Sequence, residues 1–372
     1  MLVAAEFMPV SLLTPIAGDL GSSQGMIGQA ISVSGLFAVM ASLYISPLAG
    51  RMDRRYFLLG LTALLMVSLV LISQADSYLA LIIARSVLGV AVGGFWALST
   101  ATIMRLAPEG TTAKALGILY AGDALASAFA APVGSYIGGN YGWRNVFLGM
   151  VPLVLLNLVW QWWHLPTMPA QRANSMGTLL RLLRRRDVAI AMFGLTLTFS
   201  GVFCIFSYMR PFLEIQAEGE FSIISGLLLA MGLAGFVGTY LATVLVERFL
   251  GELLVGLPLA VAAISLCLVE AGSQRWVLAG VMGLMGVFNS AVFVVWSSWL
   301  ARAVADNPES GAGLMVASIQ ISVMAGAGLG GFLLDGWSIN TTFVGGAVLL
   351  LAAALVLSHR AVRRPLAIQC PG

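Results

Sequence analysis

The sequence predicts an all-α membrane protein, because its composition, its apolar segments and its internal repeat all indicate that class. Its 372 residues are 59% hydrophobic and only 9% charged, with a mean hydropathy of +0.96. Soluble globular proteins carry about 25% charged residues, so this chain has too few charges to cover a surface in water. Backbone groups in lipid must pair within the protein, and apolar runs that do not alternate therefore predict helices rather than a barrel.

Twelve apolar runs divide the chain, and eleven of them are long enough to cross a hydrocarbon layer of about 30 Å. The first run is shorter, about 25 Å as a helix, and it lacks the basic start of a signal peptide. We therefore expect the chain to begin inside its first helix, without a cytoplasmic leader that would complete it. The runs are residues 1–17, 26–49, 57–73, 79–104, 114–138, 145–165, 188–211, 222–246, 253–270, 276–301, 312–334 and 341–358.

The distribution of Lys and Arg predicts the orientation. Of these 19 residues, Arg85 lies inside a helix, Arg144, Arg210 and Arg275 fall on one side, and the other fifteen fall on the opposite side. Cytoplasmic loops are the ones enriched in Lys and Arg. We therefore expect a multi-pass protein of the bacterial inner membrane with both termini in the cytoplasm.

The longest stretch between apolar runs divides the chain into two parts. It covers residues 166–187 and carries five arginines, as expected of a cytoplasmic linker. The division predicts an N-terminal six-helix bundle over residues 1–165 and a C-terminal six-helix bundle over residues 188–358. Residues 359–372 would form a cytoplasmic tail.

A single constant shift in numbering aligns the two halves, which indicates an internal duplication. Many secondary transporters are duplicated in this way and bind substrate between the halves, near the middle of the membrane. The shift pairs Pro15 with Pro211, Tyr44 with Tyr240, Phe147 with Phe343, Gly60 with Gly256, Gly134 with Gly330 and Gly149 with Gly345.

Several kinds of chemistry lack the residues that they need. The only lysine, Lys114, is not in a Walker A motif, so the chain itself cannot hydrolyse ATP. Three scattered cysteines and two histidines at the ends of apolar runs form no metal-ligand spacing. We expect no enzymatic activity, cofactor, metal ion or nucleic-acid partner.

Three motifs occur in a characteristic order. The segments are Ser46-Pro-Leu-Ala-Gly-Arg-Met-Asp-Arg-Arg-Tyr56, Arg85-Ser-Val-Leu-Gly89-Val-Ala-Val-Gly93 and Ala131-Pro132-Val-Gly134-Ser-Tyr-Ile-Gly138. The first resembles the loop motif of the major facilitator superfamily in a contracted form, and the second resembles its helix-four Arg-x3-Gly-x3-Gly motif. The third resembles its helix-five Gly-Pro antiporter motif, with Ala131 in place of glycine.

Two further segments resemble the drug:proton antiporter-1 group of this superfamily, namely Glu6-Phe-Met-Pro-Val-Ser-Leu-Leu-Thr-Pro15 and Gly94-Phe-Trp-Ala97. Within that group, the chain is similar to bacterial efflux transporters for purine ribonucleosides and to arabinose efflux permeases. The resemblance implies a monomer that exports small molecules in exchange for protons, by alternating access between two bundles.

Glu6, Arg85 and Asp123 are ionisable residues within apolar helices and are the candidates for proton coupling. An apolar setting disfavours the charged form of a carboxylate, so Glu6 is expected to gain and lose a proton; a static pairing with another helix is the alternative. A charge inside a spanning helix costs about 2.5–3.5 kcal/mol, and Arg85 either snorkels to the surface or, as the resemblance implies, takes part in proton transfer. Asp123 either tunes substrate choice or pairs with a serine.

Two other groups of residues have structural and functional interpretations. Asp53, Arg54 and Arg55 hold their loop in the cytoplasm, and the resemblance implies that they also form a latch between helix ends. Pro132 would kink helix five, with Gly134 and Gly138 allowing close packing. In the resembling family this motif marks exporters.

Polar and aromatic residues at mid-depth are the candidates for substrate binding. Aromatic faces would stack on a purine, and the amides of Asn289 and Gln320 would bond its edge, although helix-helix hydrogen bonding is an alternative for each residue. The candidates are Gln29, Trp96, Tyr120, Ser200, Tyr208, Asn289, Trp296 and Gln320.

The sequence thus predicts a proton-coupled antiporter that exports purine nucleosides or related compounds, with sugars or drugs as alternative substrates. A proton-coupled importer and a non-transporting membrane subunit are the other classes that remain open.

Overall fold

The computed structural model describes residues 1–49, 53–108, 112–169, 181–216, 220–270, 275–304 and 308–359. Helices dominate these residues, and twelve of them are used below. They are α1 (Leu2–Asp19), α2 (Gln24–Ala49), α3 (Arg54–Ser73), α4 (Tyr78–Leu106), α5 (Thr112–Tyr141), α6 (Trp143–His164), α7 (Arg186–Phe206), α8 (Met209–Gln216), α9 (Phe221–Glu270), α10 (Arg275–Ala303), α11 (Pro308–Gly336) and α12 (Ile339–Leu357).

Ten stretches in the described part of the chain are long and apolar enough to cross a membrane. One of them, Ser222–Glu270, is long enough for two crossings. The backbone of α9 leaves helical geometry within it, at Phe249 (φ −123°, ψ 27°). Helix α5 is not among the ten, although its 30 residues are enough for a crossing at about 1.5 Å per residue. Counting α9 as two spans and adding α5 gives the twelve spans that the sequence predicted.

The seventh apolar run is broken into α7 and α8, which the hydropathy pattern did not predict. The break follows from Pro211, which has no N–H to donate to the carbonyl four residues earlier, at Ser207. Helix α7 therefore ends at Phe206, and α8 begins at Met209. Two of the predicted connecting segments, the central part of the linker and the tail beyond His359, lie outside the described residues.

Glycine contacts show that the two halves are built alike. A Cβ on Gly134 of α5 would lie 3.3 Å from the Met8 side chain of α1, and a Cβ on Gly330 of α11 would lie 3.0 Å from the carbonyl oxygen of Cys204 in α7. The shift that pairs Gly134 with Gly330 also pairs Met8 with Cys204. The α1–α5 packing is thus repeated as the α7–α11 packing.

A second repeated contact joins α2 to α4 and α9 to α10. A Cβ on Gly89 would lie 2.1 Å from the Ser34 carbonyl oxygen, and a Cβ on Gly286 would lie 2.0 Å from that of Met231. The shift that relates these two contacts is larger by one residue than the shift that pairs Gly134 with Gly330. Such close approach requires glycine, because any side chain would displace a backbone carbonyl.

The bundles cross each other at two equivalent places. Gly35 of α2 approaches α11, where a Cβ would lie 3.1 Å from the Met324 nitrogen. Gly232 of α9 approaches α5, where a Cβ would lie 2.4 Å from the Ala128 carbonyl oxygen. The internal duplication relates these two crossings, so the bundle interface has the same approximate symmetry as the bundles.

Gly93→Ala tests the importance of close packing inside the first bundle. A Cβ at this position would lie 2.0 Å from the Ala38 carbonyl oxygen, and overpacking of this kind costs about 1–3 kcal/mol. We expect a lower midpoint of thermal unfolding in detergent. Gly149→Ala is the matched control, because no atom lies within 4 Å of a Cβ there; equal midpoints for the two variants would contradict the packing argument.

Candidate functional site

Helix α1 contains two prolines, and each leaves a backbone carbonyl without its usual helical partner. Pro9 and Pro15 have no N–H for the carbonyls four residues earlier, at Ala5 and Ser11. A freed carbonyl in an apolar interior needs another donor. Both carbonyls are bonded by arginines from other helices.

Arg85 of α4 is one of these arginines. Its side chain is 1% exposed, so it does not snorkel to the surface but turns into the first bundle. It donates to the Ser34 hydroxyl at 2.9 Å and to the Ala5 carbonyl at 3.4 Å. Glu6, which is 8% exposed, interacts electrostatically with the guanidinium.

The Arg85 site retains some spare hydrogen-bonding capacity. Its Nε has no hydrogen-bond partner among the described residues. A cavity of about 10 Å³, lined by Arg85 and eight apolar residues of the first bundle, lies beside it. That volume is close to the minimum for one water molecule.

The second bundle has no ionisable residues at the equivalent positions. The shift that relates α1 to α7 places Val202 where Glu6 lies, and the shift that relates α4 to α10 places Met282 where Arg85 lies. Val202 and Met282 are both buried. The same helix packing is therefore built with two apolar side chains in one half and with two ionisable ones in the other.

Hydrogen bonds join the two bundles at the end that carries loops 20–23 and 337–338, here called the α1–α2 end. Asp335 of α11 accepts hydrogen bonds from the Ser23 hydroxyl at 2.5 Å and from the Gly25 backbone N–H at 3.0 Å. A carboxylate at the start of α2 also opposes the positive end of that helix dipole. The second bundle thus caps a helix of the first.

Tyr208, between α7 and α8, fills the space just below this cap. Its hydroxyl donates to the Ala327 carbonyl at 2.6 Å, and the side chain is fully buried. A Cβ on Gly28 of α2 would lie only 1.7 Å from that hydroxyl, and one on Gly331 of α11 would lie 2.5 Å from it. Protein atoms surround the ring, which seals the α1–α2 end.

Arg210 of α8 makes the third contact between the bundles at this end. Its guanidinium donates to the Ser11 carbonyl freed by Pro15, to the Ser135 hydroxyl at 3.3 Å and to the Glu214 carboxylate at 2.7 Å. Ser11 and Ser135 belong to the first bundle, whereas Glu214 lies one turn along α8. The sequence predicted an outward loop charge, but the structure places this arginine at 0% exposure.

Two candidate substrate amides have unsatisfied polar atoms. Asn289 Oδ1 and Gln320 Nε2 are buried and have no hydrogen-bond partner among the described residues. Gln320 is 5% exposed and lies at the crossing of α2 and α11, where its backbone carbonyl oxygen faces Gly35. One amide thus offers an acceptor and the other a donor.

The aromatic candidates are placed differently. Trp296 is 2% exposed and packs edge-on against Trp299 at 5.9 Å, whereas Trp96 is half-buried. Gln29 is half-buried in α2, and Ser200 is buried in α7. The side chains of Tyr120 and Asp123, both in α5, lie outside the described part of the structure.

A phenylalanine cluster that the sequence did not single out crosses the bundle interface. Phe7 of α1 stacks on Phe203 of α7 at 6.0 Å and meets Phe206 edge-on at 5.7 Å. The position of Phe7 directly after Glu6 was the sequence signal that could have identified it. Arg210 and Ser34 were likewise missed, because neither residue type nor spacing reveals a partner on another helix.

The charged loop cluster bonds to the start of the linker and to α6. Asp53 caps α3 by accepting from the Arg55 backbone N–H at 2.8 Å, and it also accepts from the Met168 N–H at 2.9 Å. The Arg54 N–H donates to the Met168 carbonyl at 3.1 Å. The Arg55 guanidinium lies 5.6 Å from the ring centre of Trp162.

The antiporter motif packs α5 against α1 and, through its proline, against the second bundle. Cβ atoms on Gly134 and Gly138 would lie 2.7 Å from Ser11 Oγ and 2.2 Å from the Leu12 side chain. Pro132 frees the carbonyl of Ala128 four residues earlier, and this carbonyl faces Gly232 at the bundle crossing. The motif therefore contributes to both interfaces of α5.

Comparison with known proteins agrees with this architecture. The Major Facilitator Superfamily matches residues 1–268. The chain is 42% identical to the transcription regulatory protein OpdE of Pseudomonas aeruginosa, over 95% of this chain and 89% of that protein. It is 36% identical to the purine ribonucleoside efflux pump NepI of Salmonella paratyphi C, over 96% of this chain and 90% of that protein.

Solved structures show the same fold at low sequence identity. A bacterial homologue of the human lysosomal transporter Spinster, crystallised in an inward-facing and unoccupied conformation, matches with a TM-score of 0.76 and 15% identity, over 100% of this chain and 96% of that chain. The occupied form matches with a TM-score of 0.77. From the family match, the curated relatives and the repeated helix packing, the chain belongs to the major facilitator superfamily and is a multi-pass membrane transporter.

Proposed function

We propose that this transporter is a proton-coupled antiporter that exports purine nucleosides or related small molecules from the bacterial cytoplasm. It would lie in the inner membrane as a monomer, with both termini in the cytoplasm. The bundles over residues 1–165 and 188–358 would rock against each other about a central site. The direction of transport, the driving ion and the substrate are proposed in addition to the transporter class.

The Glu6–Arg85 site is the observation that carries proton coupling. Its equivalent in the second bundle, Val202 with Met282, has the same helix packing without charges. The fold therefore does not require two ionisable residues here, and burying them costs free energy. A carboxylate beside a guanidinium in an apolar bundle is instead suited to hold and release a proton.

Alternating access follows from the arrangement of cross-bundle contacts. The two equivalent crossings at Gly35 and Gly232 are suited to act as a pivot, because each brings one backbone directly onto the other bundle. Asp335, Tyr208 and Arg210 close the α1–α2 end. This is the outer end in the proposed orientation, so the described state would be closed to the outside.

The free amide atoms support a substrate that has both hydrogen-bond donors and acceptors. A buried polar atom without a partner costs about 1–3 kcal/mol, and a ligand that satisfies it regains that free energy. Asn289 Oδ1 offers an acceptor and Gln320 Nε2 offers a donor, and the edge of a purine has groups of both kinds. The relative named as a purine ribonucleoside efflux pump supports the same class of substrate.

Transport by purified protein in liposomes tests the proposal. A pH gradient of either sign is imposed, and uptake of labelled inosine, arabinose and a cationic dye is compared in parallel. We expect inosine to cross the membrane in the direction opposite to the flow of protons. Movement of inosine together with protons would indicate an importer instead, and movement of arabinose or the dye alone would assign one of the alternative substrates.

Variants of the two amides test the substrate site. Asn289→Leu and Gln320→Leu remove the free polar atoms with little change in volume, and we expect each to raise the KM for inosine about tenfold, as for one lost hydrogen bond in a desolvated site. Ser322→Ala is the control, because its hydroxyl is already bonded within the second bundle. Unchanged KM values for both leucine variants would contradict the assignment.

A membrane-embedded regulator is the second candidate, because the relative from Pseudomonas aeruginosa is named a transcription regulatory protein. The buried Glu6 and Arg85 favour transport over such a role, since a scaffold has no use for buried charges. The liposome experiment separates the two, because a regulator would move no substrate.

A further inference from the structure

We propose that Arg210 is the positioning residue that holds the α1–α2 end closed, through a hydrogen bond to the carbonyl that Pro15 frees at Ser11. The inference rests on alternating access as proposed above. Because its readout needs neither substrate nor a proton gradient, a failure of this inference can be distinguished from a failure of the transport proposal.

The hydrogen-bond partners of Arg210 belong to different bundles. Arg210 and Glu214 lie one turn apart on α8, which packs against the second bundle through the rings of Phe212 and Phe343 at 4.6 Å. Ser11 and Ser135 lie on α1 and α5 of the first bundle and are fully buried. Opening this end must therefore break the Arg210 bonds to Ser11 and Ser135, while the bond to Glu214 persists.

The hydrogen bond from Arg210 to the Ser11 carbonyl is a strong one. A guanidinium that donates to a carbonyl away from water makes a charge-assisted hydrogen bond, about twice as strong as a neutral one. The Ser11 carbonyl is available because Pro15 offers no competing N–H. The absence of a helical competitor makes this acceptor unusually free to bond across the interface.

Glu214 offsets part of the cost of burying the Arg210 guanidinium. Arg210 has no exposed surface in the closed state, and two neutral acceptors alone do not offset the desolvation of a cation. The Glu214 carboxylate at 2.7 Å supplies that compensation. Water would supply it in the open state, so loss of either charged partner weakens the closed state more than the open one.

Distances between spin labels on the two bundles measure the closure directly. Gln74→Cys, at the end of α3, and Trp276→Cys, at the start of α10, place one exposed label on each bundle at this end. Cys267 and Cys370 are replaced by serine, and fully buried Cys204 is retained. Pulsed electron paramagnetic resonance in nanodiscs then gives the populations of short and long distances.

We expect Arg210→Gln to raise the ratio of open to closed molecules about tenfold or more, as for a lost hydrogen bond to a charged group. Arg210→Lys keeps the charge but cannot reach several acceptors at once, and we expect a smaller rise. Pro15→Ala restores an N–H that competes for the Ser11 carbonyl. It should raise the ratio as well, and less in the Arg210→Gln background.

The charge exchange Arg210→Glu with Glu214→Arg separates a lock from a local ion pair. The exchange preserves a pair of opposite charges one turn apart on α8, but it removes the cation from the Ser11 carbonyl. We expect the open population to stay high. Recovery of the original distances would overturn the proposal, as would an unchanged distance distribution in Arg210→Gln.

Arg144→Gln is the matched control. Arg144 also lies at the α1–α2 end, where it pairs with Asp19 and donates to the Ala75 carbonyl at 2.7 Å. All of these residues belong to the first bundle, so the variant loses a similar set of bonds without crossing the interface. We expect its distance distribution to match that of the unmodified chain; an increase equal to that of Arg210→Gln would overturn the proposal.

Discussion

Glu6→Gln is expected to abolish proton-driven accumulation of substrate while leaving exchange down a substrate gradient intact. Glutamine fills nearly the same volume and keeps polar contacts beside Arg85, but it cannot bind or release a proton at neutral pH. One proton moving through 100 mV supplies about 2.3 kcal/mol, which corresponds to a gradient of about fiftyfold. The variant should therefore reduce an accumulation ratio of about fiftyfold to about one.

The measurement compares two transport modes in the same proteoliposomes. Accumulation is followed under an imposed pH gradient, and counterflow is followed without one, with inosine as the substrate. Glu252→Gln, which removes an exposed carboxylate of α9, controls for the loss of an acid as such. Accumulation by Glu6→Gln equal to that of the unmodified protein would falsify the coupling assignment, whatever its counterflow rate.

The paired substitution Glu6→Val with Arg85→Met is expected to give a stable protein that no longer couples transport to protons. These are the residues at the equivalent places of the second bundle, where Val202 and Met282 are buried in the same packing. Replacing a buried ion pair by apolar residues of similar size is often neutral or stabilising, by about 1–4 kcal/mol. Removing one partner alone leaves an uncompensated buried charge.

Thermal unfolding in detergent and gradient-driven transport are measured on the unmodified protein, the single variant Arg85→Met and the double variant. The single substitution should lower the unfolding midpoint, because Glu6 is then left without its cation, whereas the double variant should unfold at or above the midpoint of the unmodified protein. Both variants should fail to accumulate inosine. A double variant that unfolds earlier than the single one would show that Glu6 and Arg85 together support the fold, against the argument from the second bundle.

The sequence alone determined the class of the protein, the positions of its spans and its duplication. These properties are local or repetitive: hydropathy over about twenty residues decides whether a segment crosses a bilayer, and glycine spacing records where helices approach. Pro15 and Pro211, which occupy equivalent places in the two halves, belong to the pairs that indicated the duplication. The same local signals also identified Glu6 and Arg85 as ionisable residues within apolar helices.

Tertiary structure decided which of these residues meet. Nothing in the spacing of Arg85 distinguished snorkelling from burial, because that choice depends on acceptors supplied by α1 and α2. Nothing in the sequence around Arg210 indicated burial, because its acceptors lie 199 and 75 residues away in the other bundle. Proline reveals from sequence that a carbonyl is free, but only the packing of helices determines which side chain comes within bonding distance of it.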